Sequence, residues 1–68
     1  MEKDWVCVFS SSLLQKTELI RGLLIHNGIQ SIIVNRQDSL YKFGEIELFV
    51  NKDDVVKAKF VLNKNNIE

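Results

Sequence analysis

Leu24-Ile25-His26-Asn27-Gly28-Ile29-Gln30-Ser31-Ile32-Ile33-Val34 changes character at its middle, and that change decides the fold. On the N-terminal side of Gly28, Leu13, Thr17, Ile20 and Leu24 recur at spacings of four, three and four, which is one stripe of a helix. Gln15, Glu18, Gly22 and His26 fall on the opposite side. Beyond Gly28 the run Ile32-Ile33-Val34 is β-branched and reads as a strand over 31–36. Asn27-Gly28 is the stop signal between them: Gly28 takes the left-handed conformation and Ile29 folds back as its apolar contact. At the other end, Ser12 followed by Gln15 predicts a capping box that starts the helix.

Upstream, Trp5-Val6-Cys7-Val8-Phe9 is a short β-branched and aromatic run bounded by Ser10-Ser11-Ser12, and it predicts a first strand. Strict alternation puts Trp5, Cys7 and Phe9 on one face and Val6 and Val8 on the other. Both faces are apolar, so cover on both sides is expected. Downstream, residues 37–44 read as a loop. Glu45-Ile46-Glu47-Leu48-Phe49-Val50 then alternates, with Ile46, Leu48 and Val50 inward and Glu45, Glu47 and Phe49 outward. Asn51 is placed to cap a last helix, with Asp53 and Asp54 in its first turn and Val55, Ala58, Val61 and Leu62 as its buried stripe.

The order is strand, helix, strand, strand, helix. Its two-layer solution is an α+β sandwich with both helices on one face of a three-stranded sheet. The third strand is expected between the other two, as in a ferredoxin-like fold truncated before its last strand. The alternative sets the first two strands side by side and parallel.

With 68 residues the chain has room for one domain, 1–68. Hydrophobic residues at 46% and charged residues at 26% place it among globular chains rather than disordered ones. Nine Lys/Arg balance nine Asp/Glu with the signs interspersed, so no basic patch for nucleic acid is evident. Lys57, Lys59 and Lys64 read as a solvated helix face. Cys7 is the only cysteine, which excludes an intrachain disulfide. The apolar run from Trp5 to Phe9 is too short for a signal-peptide core or a membrane span. No membrane association is expected, and the cytoplasm is the expected compartment.

Candidate chemistry is sparse. His26 lacks the companion ligands a metal site needs, so no metal is expected. Cys7 lies between valines and is expected to be a buried, unreactive core thiol. Glu45 and Glu47 share a strand face with Phe49 and read as an exposed polar face. Gly22 and Gly28 do not form a phosphate loop. No catalytic residue and no cofactor follow from these groups. Ser10, Ser11 and Ser12, directly after the first strand, are a candidate ligand-binding position for an anion at a helix start. The remaining unexplained residues are apolar. Val56 and Phe60 lie four apart on the last helix, off its buried stripe, and Leu40, Tyr41 and Phe43 fall in the loop. These five residues either cover the core, in the case of the loop, or offer a surface to a partner.

Glu18-Leu19-Ile20-Arg21-Gly22-Leu23-Leu24 with Asn27-Gly28-Ile29 resembles the signature helix and turn of a family of small bacterial domains of unknown function, described as prokaryotic signal transducing proteins. The segment from Glu45 to Leu62 resembles that family's second half, with Asp54, Ala58 and Leu62 at matching positions. The two blocks cover roughly half of the chain; Ile25, Val56 and Phe60 depart from the family's polar preference. The resemblance implies a ferredoxin-like or PII-like regulatory domain and brings no catalytic residues. The resulting expectation is a non-enzymatic regulatory or interaction module that meets a protein partner or itself. The alternative is a sensor of a small anion or metabolite.

Overall fold

The computed structural model describes residues 4–37 and 44–66. Within them the elements run β1 (Trp5–Ser11), α1 (Leu14–His26), β2 (Ser31–Asn35), β3 (Ile46–Asn51), a 3-10 turn (Lys52–Asp54) and α2 (Val55–Lys64). The sheet order is β1-β3-β2, and β3 pairs antiparallel with both neighbours. This is an α+β arrangement with the third strand central, as expected, and β1 and β2 are its two edges.

The join between α1 and β2 forms as its residue types dictate. Gly28 has φ +80°, its N–H donates to the Ile25 carbonyl at 2.9 Å, and the Ile29 N–H donates to the Leu24 carbonyl at 2.9 Å. These two bonds are the Schellman pair, and Ile29 is fully buried beside the helix it closes. The start of α1 differs from the expected capping box. Leu13 occupies the N-cap without a side-chain bond, and the Ser11 hydroxyl instead accepts from the Leu13 N–H at 3.1 Å. The reason lies in β1, which runs on through Ser10 and Ser11 and leaves only Ser12 and Leu13 to turn the chain.

α1 buries Thr17, Ile20 and Leu24, while Leu13 stays exposed. Thr17 is fully buried because its hydroxyl donates to the Leu13 carbonyl at 3.1 Å, which removes the cost of an unpaired polar group. In α2, Ala58, Val61 and Leu62 are buried, and the Asn51 side chain accepts from the Asp53 N–H in the 3-10 turn that leads into the helix. Ile20, Leu24, Ala58, Val61 and Leu62 join Leu48 and Val50 in one core, so both helices cover the same face of β3.

The strand registers define the two sheet faces. On the helix side, Val6, Val50 and Ser31 form one row, and Phe9, Leu48 and Ile33 form the next. On the opposite side, Cys7, Phe49 and Ile32 form a row, followed by Ser10, Glu47 and Val34. A β-bulge between Cys7 and Phe9 changes the phase of β1. Trp5, Cys7 and Phe9 therefore do not share a face, because the extra residue returns Phe9 to the helix side.

Candidate functional site

The structure corrects the reading of Cys7. It is exposed rather than buried, and it points to the face of the sheet away from α1 and α2. Its thiol donates to the Phe9 carbonyl at 3.5 Å. On the same face Phe49 projects away from the helices, as its alternation requires, yet it is only 9% exposed.

Ser10, Ser11 and Ser12 do not assemble into a cluster at a helix start. Ser10 and Ser11 are strand residues opposite Glu47 and Ile46, so they face opposite sides of the sheet. The Ser11 hydroxyl is engaged by Leu13, and the Ser12 carbonyl accepts from Gln37 Nε2 at 2.8 Å. Glu47 pairs with Arg36 across β2 and β3. Among the described residues, no group of three or more His, Cys, Asp or Glu side chains comes together as metal ligands. No helix among them is long and apolar enough to cross a membrane.

Apolar side chains outside the core are numerous for a chain this size. Val56 is 83% exposed and Phe60 67%, and they stand together on the side of α2 away from the sheet. A helix normally turns such residues inward. Lys57, Lys59 and Lys64 are exposed on the same helix, and no acidic residue occurs between Val55 and Lys64. The outer side of α2 is therefore an apolar ridge with basic flanks. Leu40, Tyr41 and Phe43 lie outside the described residues.

A groove that residue spacing alone did not reveal lies between α1 and the C-terminal end of α2. It is open to solvent, has a volume of about 550 Å³ and is lined by Leu19, Leu23, His26 and Asn65, among others. Gly22 forms part of its wall, and a Cβ there would meet nothing within 4 Å. The helical wheel shows Leu19 and Gly22 outside the buried stripe.

Compared with protein-family models, curated proteins and solved structures, the chain matches none of them.

Proposed function

We propose that this protein is a non-enzymatic regulatory or interaction module that works through protein–protein contact. The observation that carries this reading is the outer side of α2, where Val56 and Phe60 are exposed side by side between lysines. Exposing a large aromatic and a branched aliphatic residue together forgoes burial worth about 1.5–3 kcal/mol for each. A partner recovers that energy, and it would present an apolar patch rimmed by carboxylates. The resemblance to small bacterial signalling domains fits the same reading. The test is affinity capture from extract of the source cells, with the wild-type chain and Val56→Ser/Phe60→Ser side by side. A protein retained by the wild type and lost by the double variant is expected, with the thermal midpoints of the two chains closely matched. Identical capture by both chains would refute this use of α2.

The second reading, a small-ligand sensor, moves from the serines to the groove beside Leu19 and Leu23. Its volume and apolar lining suit a small molecule, and Glu18, His26 and Asn65 supply polar groups at its margin. A ligand present at a hundred times its dissociation constant would stabilise the fold by about 2.7 kcal/mol, which a thermal-shift screen detects.

A further inference from the structure

The two edges of the sheet are built differently. β1 carries a bulge, a common device against edge pairing. β2, Ser-Ile-Ile-Val-Asn, has no charge, no proline and no bulge, and its pairing with β3 is regular throughout. The orientation of its backbone follows from one bond. The Arg36 N–H donates to the Glu45 carbonyl at 3.1 Å, continuing the register of Asn35 opposite Ile46. Because successive residues of an antiparallel ladder face alternate sides, Ile32 and Val34 also bond toward β3. The N–H and C=O groups of Ser31, Ile33 and Asn35 then point outward, away from the sheet. The Arg21 Nε–H donating to the Ser31 carbonyl at 3.3 Å agrees with that direction.

We propose that β2 pairs antiparallel with β2 of a second copy, joining two three-stranded sheets into one across a two-fold axis at Ile33. In this register Ile33 faces Ile33, Ile32 faces Val34, and Ser31 faces Asn35 of the second copy. The outward groups of Ile33 bond each other, the Ser31 N–H donates to the Asn35 carbonyl, and the Ser31 carbonyl accepts from the Asn35 N–H with the lone pair that Arg21 leaves open.

Two independent features of the surface fit this partner. The Ser31 hydroxyl is buried, 2% exposed, and has no hydrogen-bond partner among the described residues. Leaving such a group unpaired costs about 1–3 kcal/mol. The two-fold brings it opposite Asn35, whose side chain is exposed and uses its oxygen to accept from the Gln37 N–H. The amide nitrogen of Asn35 has no acceptor among the described residues, and it reaches the Ser31 hydroxyl when the cover over that edge moves aside on pairing.

The second feature lies on α1. Arg21 and Ile25 border the β2 edge, where they line a pocket with Ser31 and Ile32. Leu14, Glu18, Arg21 and Ile25 form one flank of α1 at spacings of four, three and four, and Leu14 and Ile25 are 44% and 47% exposed. This flank is self-complementary when reversed. Antiparallel to its own copy, Leu14 meets Ile25 and Glu18 meets Arg21, so each contact is apolar with apolar or acid with base.

This inference goes beyond the α2 reading, since it uses another surface and names a second copy of the chain as occupant. Sedimentation velocity from micromolar to millimolar protein tests it. A monomer–dimer equilibrium is expected. Asn35→Pro removes an outward N–H from an exposed position and should raise the dimer dissociation constant at least about tenfold. Its thermal midpoint, measured at concentrations where the wild type is monomeric, reports separately on folding.

Charge exchange on α1 gives the more specific test. Glu18→Lys and Arg21→Glu should each be monomeric alone, and an equal mixture of the two should form heterodimers. A wild type that stays monomeric at millimolar concentration overturns the proposal. So does a dimer that is indifferent to both Asn35→Pro and the charge changes. A monomeric wild type that still captures a partner through Val56 and Phe60 would leave the α2 reading standing while this one falls.

Discussion

The two faces of the sheet contain similar residues but solve different problems. On the helix side, Leu48 sits between Phe9 and Ile33 at 0% exposure, sealed by α1 and α2. On the other side, Phe49 sits one residue further along the same strand, between Cys7 and Ile32, and is 9% exposed. Leu48 belongs to the continuous core of the helices, and Phe49 stands outside that cluster. Adjacent residues on one strand thus reach comparable burial through different surroundings. Burial alone does not say what a side chain contributes; what surrounds it does.

Two truncations separate the faces. Leu48→Ala opens a cavity enclosed by two helices and should destabilise the fold by about 4 kcal/mol, within the range for buried leucines. In a chain whose total stability is at the low end of 5–15 kcal/mol, that change brings the protein close to unfolding at ambient temperature. Phe49→Ala removes more atoms but should cost only about 2–3 kcal/mol, below the usual range for a buried phenylalanine. Neighbouring groups can settle into the space it leaves, because no helix layer fixes them. Urea titration of both variants gives the order, and a larger loss for Phe49→Ala would show that its side of the sheet is packed as rigidly as the core.

The difference between the faces also marks how far the sequence could be read. Ile46, Leu48 and Val50 were legible as inward residues because β3 is regular and alternation holds along it. The α1 stripe and the Gly28 turn were legible for the same reason, since each depends on residues close together in the chain. The face of Phe9 was not legible, because the bulge in β1 arises from its pairing with β3, far away in sequence; the exposure of Cys7 was not legible either, because it depends on what covers its face of the sheet. The placement of Ser10 and Ser11 in β1 was not legible for a related cause: the strand extends where a partner strand is available, and serine does not forbid it. Val56 and Phe60 stood out from the α2 stripe in the sequence. The groove beside Gly22 and the two unlike edges required the assembled sheet.

Cys7 provides the smallest and most selective break in the comparison. A thiol among the helix-side core residues would react only when the protein opens. On the face away from α1 and α2, with Cys7 exposed, the native chain should react with a thiol reagent such as dithiobisnitrobenzoate without prior unfolding. The rate should therefore show little dependence on subdenaturing urea, since labelling does not have to wait for an opening event. Cys7→Ser should change stability by no more than about 0.5 kcal/mol, as for surface substitutions away from special features. Labelling that required global unfolding would place Cys7 under cover, and the row of Cys7, Phe49 and Ile32 would then be as closed to solvent as the row of Phe9, Leu48 and Ile33.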